Sequence, residues 1–382
     1  MTRPLTITGG TIVTPNETVE DGVLTVVGDS IEAVSTPSRP PSTGRTVDVD
    51  GRYVLPGFVD IHGDDIERYL HPRPEERVPV GEALRGSERG ALAAGVTTKY
   101  HAVALEDAPD EQRSVDRART LIDAIESRRD EAVIDARVHA RCELADAASV
   151  EAVTDLLGTS TVELVSLMHH AGEGQYDASD SLGNRYSATD GGSPASIQEL
   201  IQSRATVSPA TLARRRGSVV RAATMAGVPV ASHDDADAAA VDAAAEDGVD
   251  ICEFPLTMAA ARRAAARELT VVMGAPNLVR GGSLWENLDA RAAIEAGLVD
   301  VLCSDFRPQT LLQAAFAETG EPLHQRVERV TAAPAQAVGA LDKGRLEPGA
   351  RADIVVVDPD PTPTVSRVFV DGEEVYRFDT TA

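Results

Sequence analysis

Histidine and carboxylate side chains recur in this chain directly after short apolar runs. The stretch "GFVDIHGDD" places His62 and Asp64 two residues apart at the end of such a run. Imidazole nitrogens and carboxylate oxygens are the donors that suit zinc and similar divalent cations, and this spacing lets both side chains face one cation. The residues in equivalent positions are His62, Asp64, Glu143, His169, His170, His233, Asp234, Glu253, Asn277 and Asp305. Together they predict a metal site.

This set contains the parts of a hydrolytic site. A glutamate can bridge two cations, and further histidines can bind the second one. Divalent ions lower the pKa of water toward neutrality, so an aspartate on the last strand could accept its proton. Each residue alone has a simpler interpretation, because a single strand histidine is usually a core residue and Asp235 in "SHDD" could be only a helix N-cap. The metal interpretation therefore depends on the whole set.

Arginine accompanies these acids, although the chain as a whole is strongly acidic. Guanidinium groups bind phosphate oxygens bidentately, and glycine-rich backbone offers N–H groups at close approach. We therefore expect a phosphate-binding site. The residues concerned are Arg68, Arg73, Arg141, Asn277, Arg280, Gly281 and Gly282. The alternative is that the arginines only neutralise the neighbouring carboxylates.

The elements that must position these residues alternate between strands and helices. Eight apolar segments predict strands, namely "GFVDIH", "GVTTKYHAVAL", "AVIDARVHARCE", "VELVSLMHH", "VPVASHDD", "VDICEFP", "TVVMGAP" and "VDVLCSDF". Amphipathic helices between them end at Gly95, Gly227, Gly248 and Gly297, where glycine is the usual left-handed stop. Eight such units predict an α/β fold, a TIM-like (β/α)8 barrel with its site at the C-terminal ends of the strands.

The two ends of the chain have a different pattern of predicted secondary structure. Residues 1–54 and 344–382 consist of short strands and turns, and neither end is large enough to bury a sheet face alone. We predict one small β-sandwich domain formed by both termini, with the catalytic barrel at residues 55–343. Residues 171–210 are rich in glycine, serine and aspartate, and a loop of that length predicts an active-site cover.

Composition limits the classes of partner and the location. The chain has 36 basic and 61 acidic residues, a net charge of −25, and only two lysines, Lys99 and Lys343. This charge disfavours nucleic acid and anionic membranes and suits a solvated surface in high salt, which predicts a halophilic protein. No signal peptide or apolar run of roughly 20 residues is seen, so we expect a cytoplasmic protein. Cys142, Cys252 and Cys303 are widely spaced and predict reduced, buried thiols.

Several phrases resemble a known family. The metal pattern with "LPGFVD" and "GRLEPGARADIVVVD" resembles the amidohydrolase superfamily, whose members join a metal-dependent barrel to a β-sandwich. The phrases "HGDDIERYLHPRP", "LVSLMHH", "ASHDDAD" and "VMGAPNLVRGGS" resemble its branch of alpha-D-ribose 1-methylphosphonate 5-triphosphate diphosphatases. The resemblance implies hydrolysis of that small phosphorylated sugar phosphonate to the 5-phosphate and pyrophosphate, in phosphonate catabolism. It also implies two divalent ions, with zinc favoured and manganese or iron allowed.

The resemblance also implies roles for single residues. It makes Glu143 the bridging carboxylate and Asp305 the acid that accepts a proton from water. The implied metal ligands are His62, Asp64, Glu143, His170, His233 and Asp305.

This sequence departs from the family's pattern close to the same strand ends. Asp65 and His169 stand where the family usually shows Asn and Asp, and His101 stands where aspartate is common. Lys99 and Arg307 add positive charge there. The alternatives are a carbon–nitrogen hydrolase of the same superfamily, which predicts a smaller and less basic pocket, and a non-catalytic scaffold, which predicts lost ligand positions. Exposed barrel helices often pair, which allows a homodimer.

Overall fold

The computed structural model describes residues 4–36, 44–73, 76–107, 113–159, 161–170 and 194–378. The strands are β1 Leu5–Val13, β2 Thr18–Val27, β3 Ser30–Ser35, β4 Arg45–Asp48, β5 Tyr53–Pro56, β6 Phe58–Gly63, β7 Val96–Leu105, β8 Asp135–Glu143, β9 Leu164–Met168, β10 Val230–His233, β11 Ile251–Glu253, β12 Thr270–Gly274, β13 Val301–Cys303, β14 Ile354–Asp358, β15 Thr364–Val370 and β16 Glu373–Arg377.

The helices surround one of the two sheets. They are α1 Ile66–Leu70, α2 Val80–Ala93, α3 Val115–Ser127, α4 Ala147–Leu157, α5 Pro194–Ala205, α6 Pro209–Ala226, α7 Ala238–Asp247, α8 Met258–Ala266, α9 Ala275–Arg280, α10 Ala290–Glu295, α11 Gln309–Ala315, α12 Leu323–Glu328 and α13 Ala332–Ala337, with a short 3₁₀ helix at Arg129–Glu131. Within the described ranges, none of them combines the length and the apolar character that crossing a membrane requires.

The eight predicted barrel strands form one parallel sheet. Strands β6 to β13 pair in chain order, each with the next. The residues after β13 return to β6, because Asp305 N donates to His62 O and Asp64 N donates to Asp305 O, both at 2.9 Å. The predicted (β/α)8 barrel is therefore confirmed, and its seam lies at the strand that carries His62.

The barrel interior is packed with side chains beneath the strand ends. Val59, Ile61, Tyr100 and Val272 belong to one buried cluster there. The segment around α13 covers the other end, since Val330 O accepts from Val59 N at the start of β6 at 2.9 Å. Polar residues at the C-terminal strand ends therefore stand on a closed apolar floor.

The second sheet is built from both ends of the chain. Its order is β16, β15, β14, β5, β1, β2 and β3, with β4 beside β1. Strands β5 and β14 join the two ends as an antiparallel pair. Successive residues of a strand face opposite sides, so Ile354 packs in the sheet's own core while Val355 packs against the barrel helices. The predicted β-sandwich domain of both termini is confirmed.

A single glycine connects this sheet to the barrel. Gly57 stands alone between β5 and β6, and a Cβ at that position would lie 2.1 Å from Thr97 Oγ1. Only a residue without a side chain lets the chain cross there. The crossing falls close to the boundary predicted after residue 54.

The glycine stops agree with the sequence, whereas the simpler interpretation of Asp235 as a helix N-cap does not hold. Gly95, Gly227, Gly248 and Gly297 all have positive φ, at 87°, 69°, 95° and 68°. Helix α7 is capped by Asp237, which accepts from the backbone N–H groups of the first turn at 2.9 Å.

Asp235 has another role, because its carboxylate points away from the helix. It accepts from Ser232 Oγ at 2.5 Å and from Cys252 Sγ at 3.2 Å. Cys142, Cys252 and Cys303 are buried free thiols, as predicted, and burial raises the pKa of Cys142 to about 12.

The expected cover over residues 171–210 is only partly described. Residues 171–193 lie outside the described residues. The rest is not a loop, because α5 and the start of α6 occupy it. Both helices begin at a proline, which suits the first helical position, and continue with good helix formers that outweigh the preceding glycine-rich composition.

Candidate active site

The C-terminal strand ends surround a cavity of about 530 Å³. Phe254, Met273, Trp285 and Leu288 contribute an apolar wall. Most of the predicted site residues face the same space, and those that line it are His62, Asp64, Arg68, Arg141, His233, Asn277, Arg280 and Asp305. The structure therefore brings together residues from the first to the last barrel strand.

His62 is held by a buried carboxylate that sequence reasoning noticed without giving it a role. His62 Nδ1 lies 3.2 Å from Glu253 Oε1, and both side chains are inaccessible to solvent. Burial lowers the pKa of His62 well below its usual value, so its ring is neutral at pH 7. A carboxylate on one ring nitrogen fixes the tautomer, and a neutral imidazole with its other nitrogen available can bind a metal.

A second carboxylate holds His170 in the same way. Glu143 Oε2 lies 3.0 Å from His170 Nδ1 and accepts from His170 N at 3.1 Å. His170 is buried whereas His169 is exposed, so of the two adjacent imidazoles His170 is the one at the site. Donor atoms of His170, His233 and Asp234 lie within 4.8 Å of one another. This group could hold a divalent ion.

Glu143 lies beside His170 and a second buried carboxylate. Its donor atom groups with those of Glu106 and His170 within 4.8 Å. Arg204 Nη1 lies 3.5 Å from Glu143 Oε2, and Ala145 N donates to Oε1 at 3.0 Å. Burial raises the pKa of Glu143, but His170 and Arg204 outweigh it, so the pKa is lowered and the group stays ionised. In the described part of the chain, Glu143 groups with His170 rather than with His62, and bridging stays a prediction.

His139 lies against His62, but both of its ring nitrogens are already hydrogen-bonded. Its donor atoms are within 4.8 Å of those of His62 and Glu253, and its ring meets the His62 ring edge-on at 4.9 Å. Both ring nitrogens are bonded, Nδ1 to Ile61 O and Nε2 to Ser166 Oγ, each at 2.9 Å. Burial lowers the pKa of His139 to about 3. It is therefore a neutral packing residue that supports His62.

Backbone strain is concentrated at three strand ends of the site. Asp234 and Phe254 directly follow β10 and β11, Asp305 comes two residues after the end of β13, and their φ values are 62°, 53° and 53°. Non-glycine residues in this region cost on the order of 1 kcal/mol or more, and such strain is typical of functional sites. The turns direct Asp305 into the cavity and place the Phe254 ring 5.1 Å from the rings of both His62 and His233.

Arg141 is the buried one among the described arginines that line the cavity. It is 4% exposed, and its Nη1 lies 3.3 Å from Asp64 Oδ2. Its buried Nε has no hydrogen-bond partner among the described residues. Arg68 stacks over the Phe306 ring, 5.1 Å from its centroid. A buried guanidinium with spare donors attracts phosphate oxygens.

Arg113 lines the same cavity and was missed from the sequence. Its Nε and Nη2 each lie 2.6 Å from a Glu67 oxygen, and Nη1 lies 3.0 Å from Glu106. Two carboxylates occupy this guanidinium, so it is structural in this arrangement. No local spacing indicates it, although Glu106 follows the second barrel strand as the other acids follow theirs.

Three predicted phosphate contacts are not brought to the cavity. Arg73 is exposed, and among the described residues it is not part of the cavity lining. Gly281 N and Gly282 N both donate to Asn277 O, at 3.1 and 3.0 Å, so they are not open donors. The Asn277 side chain donates to Leu288 O at 2.9 Å and accepts from Ala290 N at 3.0 Å. This stretch therefore fixes the loop that closes the apolar wall.

The residues present fit a divalent cation. Imidazole nitrogens of His62, His170 and His233 and carboxylates of Asp64, Asp234 and Asp305 provide a mixed donor set of the kind that zinc accepts. Glu253 Oε2 is buried and has no hydrogen-bond partner in the described ranges, so a cation bound nearby would satisfy it.

Comparison with known proteins identifies the family. A family described as the amidohydrolase family matches residues 189–376. The chain is 33% identical to alpha-D-ribose 1-methylphosphonate 5-triphosphate diphosphatase of Escherichia coli K12 over 354 residues. This alignment covers 90% of this chain and 93% of the relative. The chain belongs to the amidohydrolase family. It is thus a hydrolase of a metal-dependent family.

Other amidohydrolases extend the likeness. Imidazolonepropionase of Streptomyces coelicolor is 28% identical over 372 residues, 89% of this chain and 86% of that protein. The crystal structure of N-acetyl-D-glucosamine-6-phosphate deacetylase from Mycobacterium smegmatis superposes with a TM-score of 0.63 at 19% identity, over 98% of this chain and 100% of the other. The structural likeness confirms the amidohydrolase fold of barrel and β-sandwich.

Proposed function

We propose that this amidohydrolase cleaves a sugar phosphonate 5-triphosphate, releasing pyrophosphate and leaving the 5-phosphate. The observation that carries the proposal is the buried Arg141, whose guanidinium stands 3.3 Å from Asp64 and has a donor without a partner among the described residues. A phosphate group bound there lies directly beside the candidate metal ligands. The name of the 33% identical relative supports the same substrate.

The donor set is compatible with two divalent ions. His62 and Asp64 would hold one ion, and His170 and His233 with Asp234 the other. Zinc is favoured by the mixture of nitrogen and oxygen donors. When bound, such ions supply Lewis acidity and lower the pKa of water.

The chain's own residues complete the reaction. Asp305 lies in the cavity lining just after the last barrel strand, where its carboxylate orients the attacking water and accepts its proton. Arg141, Arg68 and Arg280 bind the triphosphate and stabilise the charge that develops on the leaving pyrophosphate. The backbone of Asp305 is tied to His62 and Asp64 by two hydrogen bonds, so the proton acceptor and the first ligand pair keep a fixed separation.

A carbon–nitrogen hydrolase is the second candidate. The apolar wall of the cavity and the imidazolonepropionase relative favour it. The arginines argue against it, because a neutral cyclic amide gives them no partner. A non-catalytic scaffold would be expected to have lost ligands, whereas every predicted ligand position carries a donor side chain.

Phosphorus NMR tests the proposal. Ribose 1-methylphosphonate 5-triphosphate, a nucleoside triphosphate and a cyclic amide are each incubated with the zinc-loaded protein, with a chelator-treated sample as the control. The proposal predicts a pyrophosphate signal from the sugar phosphonate and none in the chelated sample. Orthophosphate as the only product, or turnover of the cyclic amide alone, would refute it.

A further inference from the structure

Lys99 is a fully buried cation one strand away from the first ligand pair. It lies on β7 with 0% exposure, forms an ion pair with Asp65 and donates to Ser87 Oγ at 2.8 Å. The chain has only two lysines among its 36 basic residues. Lysine differs from arginine in carrying a compact ammonium group on a flexible stem instead of a planar guanidinium.

The strand beside Lys99 carries a β-bulge. Asp60 pairs with Lys99 and Gly63 pairs with His101, so β6 has one residue more than β7 between these two pairs. The backbone N–H of His62 points to Asp60 Oδ1 at 3.4 Å instead of entering the ladder. Bulges next to active sites redirect side chains. This one sets the directions of His62 and Asp64.

The Lys99 side chain spans that bulge. Its backbone pairs with Asp60 on one side, and its ammonium group holds Asp65 on the other. Its stem passes under Gly63, where an added Cβ would lie 2.7 Å from Lys99 Cε and 2.8 Å from Asp60 Oδ2. A side chain at position 63 would therefore displace the Lys99 stem or the Asp60 carboxylate. The side chain contacts the bulge at its middle and at its end.

The opposite side of the bulge is fixed by the barrel seam. Asp60 Oδ2 accepts from Ser304 Oγ at 2.5 Å, and Asp60 Oδ1 accepts from Ser304 N at 3.0 Å. Ser304 directly precedes Asp305. The bulge is therefore held between a buried cation on β7 and the acid-bearing end of β13.

We propose that Lys99 is a positioning residue that holds the β6 bulge in the shape that lets His62 and Asp64 bind a metal together. This rests on the proposed metal site. Asp65 and Lys99 both depart from the family's pattern. Their opposite charges neutralise each other inside the protein, so the two departures belong together. This role depends on both the charge of Lys99 and the length of its side chain.

Metal affinity measured beside stability tests this role. Three proteins are compared with the wild type: Lys99→Met, the double variant Lys99→Met/Asp65→Asn, and the control Lys343→Met. Lys343 is the other buried lysine, with Nζ 3.1 Å from Asp353, and it lies outside the cavity lining of the described residues. Zinc and manganese dissociation constants are measured by competition with a chelating dye, and Tm by calorimetry.

The expected results separate positioning from folding. Lys99→Met should weaken metal binding roughly 10- to 100-fold, the usual effect of losing a residue that orients metal ligands. The double variant should recover part of the lost Tm, since Asp65 no longer leaves a buried carboxylate without its cation, but it should not recover the affinity. Lys343→Met should lower Tm and leave the affinity unchanged.

Two outcomes would overturn the inference while leaving the proposed function intact. They are metal affinity within about twofold of wild type in both Lys99 variants, and an equal loss of affinity in Lys343→Met. If Lys99→Met does not fold, the double variant carries the test. A wild-type protein that binds neither metal would overturn the proposed function and this role together.

Discussion

Buried carboxylates orient the two histidines that matter most at the scale of single residues. Glu253 lies 3.2 Å from His62, and Glu143 lies 3.0 Å from His170. Burial raises the pKa of Glu253, while His170 and Arg204 help to lower that of Glu143 against the effect of burial. The two pairs present imidazoles of fixed tautomer toward one cavity, which is the form that metal ligation needs.

Asp305 is the residue whose loss should affect chemistry most selectively. Asp305→Asn keeps the shape of the side chain and removes the proton acceptor, so kcat should fall by about 10²- to 10⁴-fold. Metal content should stay the same, since the other donors remain. Pyrophosphate release and elemental analysis measure the two quantities, with the exposed Asp116→Asn as the control. Activity close to wild type would show that Asp305 does not accept the proton.

His101 should make the protein sensitive to acid. It is fully buried, and neither ring nitrogen has a hydrogen-bond partner among the described residues. Burial, with help from the charge of Lys99, lowers the pKa of His101 well below its usual value. The unfolded chain takes up a proton at this side chain near pH 6.5 and the folded protein does not, so stability is retained above that pH and lost below it.

Replacing His101 tests this directly. His101→Leu should raise the free energy of unfolding by about 1 kcal/mol at pH 7.5, because it removes a buried unsatisfied polar group. Below pH 6.5 the gain should grow by up to about 1.4 kcal/mol per pH unit. Guanidinium chloride unfolding at pH 7.5, 6.0 and 5.0 measures it. His101→Gln, which cannot titrate, should lose the part of the pH dependence that His101 contributes, without the gain at pH 7.5; a wild-type slope in both variants would contradict the assignment.

Strand ends and the helices that follow them position the site at the scale of elements. Strand β6 bends at its bulge and supplies His62 and Asp64, while α5 reaches across to the neighbouring acids. Arg204 on α5 lies 2.8 Å from Glu106 and 3.5 Å from Glu143. The helix that follows residues 171–193 is thereby anchored to the buried acids at the ends of β7 and β8.

Arg204 should stabilise that arrangement by charge. Arg204→Leu leaves two buried carboxylates without this cation, and breaking a buried ion pair costs roughly 3 kcal/mol. The exposed Arg214→Leu in α6 is a matched control that should change stability by less than about 0.5 kcal/mol. Chemical unfolding of both metal-free variants measures the difference. Equal stability of the two would contradict the anchoring role of Arg204.

Elements were more predictable than contacts. The eight barrel strands can be predicted from apolar runs, and four helix ends from the positions of glycines, because those signals are local in the sequence. The β6 bulge depends on its register with β7, and the Arg113–Glu67 pair joins residues 46 positions apart, so neither leaves a local signal. The glycines at 281 and 282 suggested open donors, but their partner, Asn277 O, is visible only in the folded chain.

Charge and chain ends act at the scale of the whole molecule. The two termini meet where β5 pairs with β14, so neither end can complete the second sheet alone. The net charge of −25 is spread over a chain in which both lysines are buried. Self-repulsion of this size destabilises the compact state at low salt. A halophilic character, like a homodimer, stays a prediction.

Salt should therefore stabilise the protein. Raising sodium chloride from 0.1 to 1 M shortens the screening length from about 10 to about 3 Å, which weakens repulsion among surface carboxylates. We expect Tm to rise by several degrees, with buried ion pairs such as Lys343–Asp353 little affected. Calorimetry measures it, and sucrose of equal osmolality is the control. A Tm that falls or stays constant with salt would contradict this account.

Anomalous X-ray scattering from a manganese-loaded crystal tests most directly whether distant strand ends share metal ions. The account predicts peaks inside the cavity, one within roughly 2.0–2.3 Å of donor atoms of His62 and Asp64 and one at that distance from His170 and His233. Peaks only at surface carboxylates, or imidazoles that remain bonded to protein groups alone with manganese in excess, would contradict it.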